Sequence, residues 1–153
     1  MPSKTLLDAE DCNCSAVRAA ARHMTQLYDQ CLAPVGLRTT QYAILVRLER
    51  NGPLTINALA SDLVMDRSTL ARNVQPLVRD GLIAIETSAS DRRAKVLRLT
   101  KAGETRLQAA LAAWSLAQHR FESSFGRERS AELRGLMRAV AASTFAPAGH
   151  LAE

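Results

Sequence analysis

The spacing of apolar residues divides the middle of the chain into helices and strands. Between Thr55 and Arg79, apolar residues recur three and four positions apart in two runs, which is the period of an amphipathic helix. The first run is Ile56, Leu59, Ala60 and Leu63, and the second is Leu70, Val74, Leu77 and Val78. Gly81 can end the second helix in the left-handed conformation. After it, residues 82–87 and 95–99 are short runs typical of two antiparallel strands. The pattern predicts a helix, a turn, a second helix and a two-stranded β-ribbon.

Residues that favour helix N-caps stand at the expected starts of these helices. Thr55 and Asp66 precede the two central helices, and their side-chain oxygens can accept from free backbone amides. Thr39 or Thr40 is predicted to cap the preceding helix in the same way, and Thr100 is predicted to cap the long helix that follows. The central unit therefore has defined boundaries in the sequence.

Amphipathic helices flank this unit at residues 12–33 and 101–145, and Gly126 divides the second range into a long helix and a last helix that carries Leu133, Leu136, Met137 and Val140. The long helix before Gly126 carries large apolar residues at heptad spacing, namely Leu107, Leu111, Trp114, Phe121 and Phe125. These stripes need a surface to bury against, and in a chain of 153 residues a second copy is the expected partner. A monomeric helical bundle with the aromatic side chains in its core is the alternative.

The second central helix has a polar face opposite its apolar stripe. This face is formed by Arg67, Ser68, Thr69, Arg72 and Asn73. Side chains of this kind suit base edges and phosphates, and the recognition helix of a helix-turn-helix presents its N-terminal residues to the major groove. The net charge of +5 permits a polyanionic partner without requiring one. We therefore expect this helix to contact double-stranded DNA.

The loop between the two predicted strands has a basic tip. It contains Asp91, Arg92 and Arg93, and Lys95 begins the second strand. A ribbon with a basic tip directly after a recognition helix is a wing, although a plain polar hairpin is the alternative. The predicted fold is a single domain, residues 1–153, of the mainly α (α+β) class. Its winged helix-turn-helix core lies at residues 39–100, between the two dimerisation helices.

Four motifs of the central unit carry a family resemblance. They are Asp66-Arg67-Ser68-Thr69-Leu70, Asp80-Gly81-Leu82-Ile83, Asp91-Arg92-Arg93 and Leu99-Thr100-Lys101-Ala102-Gly103. Over about residues 17–125 the chain resembles the MarR (multiple antibiotic resistance regulator) family of bacterial transcription factors. The resemblance implies a triangular obligate homodimer on a palindromic operator, with repression usually relieved by a small molecule or an oxidant. It also implies that Asp91 orients Arg93, which enters the minor groove.

The N-terminal helix contains Arg22-His23-Met24-Thr25 followed by Tyr28, and Gln41-Tyr42 lies in the next helix. In these residues the chain resembles, within that family, the branch that senses organic hydroperoxides. The match places Cys14 on the peroxide-reactive cysteine and Tyr28 on one of two tyrosines that hydrogen-bond its thiolate. The second tyrosine falls on Thr39, and another aromatic residue of the pocket falls on Arg18. A thiolate at Cys14 would be favoured by the helix dipole and by Arg18, and Cys12 is a second thiol that can trap a sulfenic acid as a disulfide.

The alternative for the cysteines is structural. Cys14 and Cys31 would be small buried hydrophobic residues, and the effector would be an aromatic acid bound between the dimer helices and the winged domain. A constitutive DNA-binding protein without an effector is a further alternative. A small enzyme that pairs Cys14 with His23 as nucleophile and base is the least favoured, since the sequence supplies no third group to orient them.

Other features limit the possible function classes. Three cysteines imply no full disulfide framework, which suits a reducing bacterial cytoplasm. The sequence shows no zinc-ligand spacing, no phosphate-binding glycine loop and no run long enough to cross a membrane. We therefore expect a transcriptional regulator with no metal, cofactor, catalytic residues or membrane partner, located with the nucleoid.

Overall fold

The computed structural model describes residues 11–145, in which α-helices dominate and three short strands form one sheet. The helices are α1 (Asn13–Leu32), α2 (Thr39–Asn51), α3 (Ile56–Asp62), α4 (Arg67–Arg79), α5 (Lys101–Phe125) and α6 (Arg127–Ala142), with a 3₁₀ turn at Ala33–Val35. The strands are β1 (Leu54–Thr55), β2 (Ile83–Thr87) and β3 (Lys95–Leu99). The predicted mainly α winged helix-turn-helix is confirmed. The chain divides into two compact units, the first ending at Ala117 and the second beginning at Gln118.

The sheet corrects the prediction of a two-stranded ribbon. The strand order is β1-β3-β2, and both pairings are antiparallel. Leu54 lies opposite Leu97, and Ile83 lies opposite Leu99. The third strand, β1, has two residues, so it is too short to show a strand period in the sequence. Its pairing with β3 joins the start of α3 to the wing.

A leucine-rich core holds the first unit together. Its side chains with no exposed surface include Leu32, Ile44, Leu45, Leu59 and Leu70. The apolar stripe of α4 is confirmed, since Leu70, Val74 and Leu77 are all buried. Full burial of one such side chain contributes about 1.5–3 kcal/mol, which makes this core the main source of the unit's stability.

Three of the predicted helix caps are present. Asp66 accepts a hydrogen bond from the amide of Thr69 at 2.8 Å, and Thr55 accepts one from the amide of Ala58 at 3.1 Å. Thr100 accepts from the amide of Gly103 at 3.0 Å. These contacts set the first residues of α4, α3 and α5.

The cap predicted for α2 is wrong. The N-cap residue is Arg38, whose amide donates to the side chain of Gln41 at 2.9 Å. Thr39 is already helical, and its amide and its hydroxyl each donate to Asp29 Oδ1 at 2.7 Å. The Thr39 side chain therefore joins α2 to α1 and is not available as a cap.

The end of α4 and the start of α5 are joined through Gly81. This residue has φ +74°, and the amide of Leu82 donates back to the carbonyl of Leu77 at 2.9 Å, which closes the helix with a left-handed turn. The Thr100 hydroxyl donates to the Gly81 carbonyl at 2.6 Å. A Cβ at Gly103 would overlap the Leu82 carbonyl, so only glycine fits there. These contacts explain why the Leu-Thr-Lys-Ala-Gly sequence follows the wing.

The second unit has aromatic and ionic contacts of its own. Phe121 and Phe125 stack with ring centroids 5.3 Å apart, and the guanidinium of Arg129 lies 4.2 Å from the Phe125 centroid. Glu122 pairs with Arg134 at 3.1 Å. On α6, the exposed apolar side chains are Leu136, Met137 and Val140.

Candidate nucleic-acid interface

Four of the five predicted contact residues of α4, namely Ser68, Thr69, Arg72 and Asn73, lie on the side away from the buried stripe, whereas Arg67 in the first turn borders the cavity between α4 and the sheet. Arg67, Ser68 and Arg72 are exposed, whereas Thr69 and Asn73 are half-buried. The side-chain nitrogen Nδ2 of Asn73 donates a hydrogen bond to the backbone carbonyl of Thr69 at 2.9 Å, so the side-chain amide of Asn73 is bonded to its own helix. The structure therefore leaves Arg67, Ser68 and Arg72 as the most accessible members of the polar face.

The carboxylate of Asp66 organises the first turn of α4. Oδ1 accepts from the Ser68 hydroxyl at 2.7 Å and from the Thr69 amide at 2.8 Å, and Oδ2 accepts from the Thr69 hydroxyl. These hydrogen bonds, first the one from the Thr69 side chain and then the one from Ser68, hold the pKa of Asp66 far below its usual range, with a smaller contribution from the charge of Arg72. The carboxyl group is therefore ionised at neutral pH.

Sequence reasoning recognised Asp66 only as a helix cap. The structure shows that it also fixes the hydroxyls of Ser68 and Thr69. The signal was available, because an Asp followed by Ser at the second position and Thr at the third places both hydroxyls within reach of one N-cap carboxylate. Arg72 extends this group, with Nη2 lying 3.4 Å from the Thr69 hydroxyl oxygen.

The turn before α4 has an unusual backbone. Val64 has φ +51° and is 73% exposed, a conformation that costs a β-branched residue free energy. The amide of Met65 donates to the Ala60 carbonyl at 2.9 Å and fixes the angle between α3 and α4. The polar face of α4 therefore follows a turn that the hydrogen bond between Met65 and Ala60 closes.

The predicted wing is the β2–β3 hairpin, with its tip at residues 88–94. Arg92 and Arg93 are exposed there. Asp91 Oδ1 accepts a hydrogen bond from the backbone amide of Arg93 at 2.9 Å. The carboxylate therefore fixes the backbone at Arg93 and not the guanidinium group of that residue. Lys95 Nζ donates to the Thr87 hydroxyl at 3.1 Å. Asp91 thus shapes the tip that presents the two arginines.

The cysteines of α1 lie in different environments. Cys12 is the N-cap residue, and its sulfur accepts from the amide of Ser15 at 3.4 Å. Cys14 follows in the first turn and is exposed, whereas Cys31 is buried. The description of a small buried hydrophobic residue therefore applies in the single chain to Cys31 and not to Cys14.

Tyr28 and Cys14 are not brought together within one chain. Both lie on α1, where a separation of fourteen residues corresponds to about 21 Å along the helix axis. Arg18 lies one turn after Cys14 and is exposed. A site that combines Cys14 with Tyr28 therefore requires a second copy of the chain.

A cavity of about 520 Å³ lies between α1, α2 and α5 within the first unit. Its lining includes Tyr28, Tyr42, Val46, Arg50, Leu111 and Trp114. Tyr42 and Trp114 stack with ring centroids 6.3 Å apart, and burial raises the pKa of the Tyr42 hydroxyl. The walls are thus largely aromatic and aliphatic, with arginine at the edge.

A second cavity, of about 590 Å³, lies between α4 and the sheet and includes Ala71, Val78 and Ile85 in its lining. Within residues 11–145, no group of three or more His, Cys, Asp or Glu side chains is arranged to hold a metal ion. The helices described over the same range are all too short or too polar to cross a membrane.

The comparisons with known sequences agree with one another. A profile described as the MarR family matches residues 35–94. The organic hydroperoxide resistance transcriptional regulator of Bacillus subtilis (strain 168) is 29% identical over 90 residues, covering 59% of this chain and 61% of that protein. The chain spans between 51% and 66% of the length of the curated relatives it matches.

Two DNA complexes are among the similar solved structures. The M. tuberculosis transcriptional regulator MosR in complex with DNA is 34% identical with a TM-score of 0.73, covering 86% of this chain and 98% of that chain. CouR of Rhodococcus jostii RHA1, a transcriptional repressor bound to a 23-mer duplex, is 25% identical with a TM-score of 0.78, covering 86% and 94%. The motifs, the winged helix-turn-helix and these similarities together show that the chain belongs to the MarR family.

Proposed function

We propose that this protein is a transcriptional regulator that binds double-stranded DNA in a sequence-specific manner. The observation that carries the proposal is the exposed polar face of α4, where Arg67, Ser68 and Arg72 stand clear of the core next to a hairpin whose tip exposes Arg92 and Arg93. A helix can enter the major groove, and arginine can bind guanine or a phosphate there. The DNA-bound structures of MosR and CouR support the same role for this fold.

The protein acts as a homodimer on a palindromic operator. Support comes from apolar side chains that the single chain leaves exposed on its terminal helices: Val17 on α1, and Leu136, Met137 and Val140 on α6. Two copies place the Ser68-to-Asn73 faces in successive major grooves, with Arg93 of each wing in a flanking minor groove. The symmetry of the dimer would then be matched by the symmetry of the operator.

Selection from a random pool of DNA duplexes with the full-length protein tests this function. We expect enrichment of a palindromic sequence, which binds more weakly as the salt concentration rises because lysine and arginine displace counterions from phosphates. Recovery of no sequence above the starting pool, from protein shown to be folded by circular dichroism, would contradict the proposal.

DNA binding is released by a small-molecule or oxidant signal, and the cavity between α1, α2 and α5 supports the first kind. Its stacked Tyr42 and Trp114 suit an aromatic ring. Arg47 also lines this cavity, but its Nε lies 2.7 Å from Asp62 Oδ2 in an ion pair that lacks hydrogen-bond geometry. The charge of Arg47 is therefore already paired. Arg50 is exposed at the same edge and is the cation that would take a carboxylate. An aromatic carboxylic acid fits this description.

Cys14 supports an oxidant signal as the second candidate. Its thiol is exposed in the first turn of α1, and Cys12 is exposed two residues before it. A hydroperoxide would oxidise Cys14 to a sulfenic acid and leave as the alcohol. The Cys12 thiol would then displace water and form a disulfide. The hydroperoxide resistance regulator among the relatives supports this direction.

Operator release by cumene hydroperoxide separates the two candidates. If Cys14 is the sensor, the parent dissociates from the selected duplex and Cys14→Ser stays bound at the same dose. If both proteins stay bound, or both dissociate at one dose, Cys14 is not the sensor. Titration with simple aromatic acids in the same assay then tests the cavity. A complex that no such compound and no oxidant releases would favour a constitutive DNA-binding protein.

We infer no enzymatic role. Cys14 and His23 lie nine residues apart on α1, about 13 Å along the helix axis, so they cannot form a nucleophile and base pair within one chain. A regulator of transcription acts where the chromosome is, which places this protein in the bacterial cytoplasm with the nucleoid.

A further inference from the structure

The Ser68 hydroxyl is the exposed hydroxyl of the α4 polar face, and its hydrogen atom is already committed. Ser68 Oγ lies 2.7 Å from Asp66 Oδ1. An ionised carboxylate only accepts hydrogen bonds, so the serine must be the donor. A hydroxyl has one hydrogen and two lone pairs. While this bond persists, Ser68 offers only acceptor capacity to a molecule that approaches α4.

An acceptor at this position has few partners on DNA. Phosphate oxygens are themselves acceptors, so they cannot bond to it. On the major-groove edges of the bases, guanine N7 and O6, adenine N7 and thymine O4 are acceptors too. The donors there are the N6 amino group of adenine and the N4 amino group of cytosine. The negative charge of Asp66 beside Ser68 further disfavours a phosphate at this place.

We propose that Asp66 presets the Ser68 hydroxyl as an acceptor, so that Ser68 reads the amino group of an adenine or a cytosine and does not bind the DNA backbone. The inference deepens the function proposed above and rests on DNA binding through α4. Asp66 is then a positioning residue that acts through Ser68, in addition to its role as a helix cap.

Thr69 has the same hydrogen-bond direction but a different setting. Its hydroxyl donates to Asp66, it is half-buried, and its oxygen already lies 3.4 Å from Arg72 Nη2. Its lone pairs therefore face a neighbour on the same helix. Arg67 and Arg72 provide only donors, which suit guanine and phosphate. The polar face thus carries acceptor and donor groups at separate positions, with Ser68 as the exposed acceptor.

The test uses the full-length chain and the duplex enriched from a random pool. In each half-site, every adenine is replaced in turn by purine, which lacks the N6 amino group, and every cytosine by 2-pyrimidinone, which lacks the N4 amino group. Every phosphate is replaced in turn by a methylphosphonate. Affinities are measured for the parent, for Ser68→Ala and for Ser68→Thr, which keeps the hydroxyl.

We expect one base in each half-site whose amino group matters to Ser68. Its removal weakens binding of the parent and of Ser68→Thr by about three- to tenfold, the range for one neutral hydrogen bond. Ser68→Ala binds the unmodified duplex more weakly by a similar factor and is insensitive to the removal. Methylphosphonate effects are the same in all three proteins. Repeating the selection with Asp66→Gly, which removes both side-chain oxygens but is tolerated at an N-cap, enriches thymine or guanine at that base, because the freed Ser68 hydroxyl can donate.

Three results would overturn the inference. The amino-group effect could persist in Ser68→Ala, or Ser68→Ala could lose sensitivity to a methylphosphonate instead, or Asp66→Gly could keep the parent's base preference. Each of these leaves the proposed function intact, since the parent still selects a duplex. A pool from which the parent enriches no duplex overturns the proposed function, and this inference with it.

Discussion

The winged core and the terminal helices differ in how far each completes its own apolar packing. In the core, Leu45, Leu59 and Leu70 have no exposed surface. On α6, the side chains of Leu136 and Val140 are 63% and 49% exposed. The solvent-facing side of a surface helix is normally polar, so these apolar side chains are unusual there. The core therefore buries its apolar side chains within one chain, whereas α6 leaves apolar surface exposed. Under the proposed function, the polar face of α4 belongs to the first region, and the pairing of two such faces in a dimer depends on the second.

Truncation of a core side chain gives the largest expected effect. Leu45→Ala removes a side chain with no exposed surface, so the free energy of unfolding should fall by about 2–5 kcal/mol. Urea denaturation followed by circular dichroism measures this change. Leu45→Met keeps most of the volume and is the matched control, with a loss below about 1.5 kcal/mol. An equal loss for both variants would contradict a closely packed core.

A charged residue placed on α6 tests whether the exposed apolar surface of this helix forms the dimer interface. Leu136→Asp should weaken the dimer by about thirtyfold or more, because a buried apolar anchor typically contributes 2 kcal/mol or more to an interface. Sedimentation across a range of protein concentrations measures the dissociation constant. Arg138→Ala, an exposed polar position on the same helix, should leave it unchanged. A Leu136→Asp protein that dimerises like the parent would show that α6 is not part of the interface.

The turn before α4 gives a smaller effect, of opposite sign. Val64 has φ +51°, a conformation that glycine adopts without strain. Val64→Gly should therefore raise the free energy of unfolding by about 1 kcal/mol, after the entropy of the added glycine is counted. Val64→Ala keeps a Cβ and should gain less. Denaturation of the three proteins compares these values, and a destabilised glycine variant would mean that the turn is not strained.

The pH dependence of Asp66 gives the smallest effect, because this group is exposed. Its pKa in the folded state is lowered by the hydrogen bonds from Thr69 and Ser68. Its contribution to stability is therefore present above the ordinary pKa of an aspartate and is lost as the pH falls through the folded-state value. Urea denaturation between pH 5 and about pH 2 should show a steeper acid loss in the parent than in Asp66→Asn. Parallel curves would argue against these hydrogen bonds in solution.

Features of the fold that depend on neighbouring residues were predicted from the sequence, and those that depend on distant ones were not. The N-cap role of Asp66 and the strand from Lys95 to Leu99 follow from local signals. Strand β1 forms because Leu54 meets Leu97, more than forty positions away. The cap at Thr39 failed because its hydroxyl binds Asp29 on another helix.

The candidate site divides in the same way. The residue types of the α4 face and of the wing are visible in the sequence, because helical spacing places the first group on one helix and a short loop holds the second group together. The direction of the Ser68 hydrogen bond is not visible, because it depends on the rotamers of two side chains. The cavity between three helices is equally hidden. Sequence matching linked Cys14 with Tyr28, but one rigid helix separates them within a chain.

The proposed function requires the N-terminal face of α4 to contact DNA bases, and a comparison of two arginines of this helix tests this requirement. Arg72 lies on that face, whereas Arg79 lies in the last turn and pairs with Asp80 at 3.2 Å. In a binding assay on the selected duplex, Arg72→Ala should lose roughly 1–3 kcal/mol of binding free energy and discriminate less between duplexes. Arg79→Ala should bind within about twofold of the parent, as expected for an exposed pair. Equal affinity of Arg72→Ala and the parent for the duplex would contradict DNA recognition by the N-terminal face of α4.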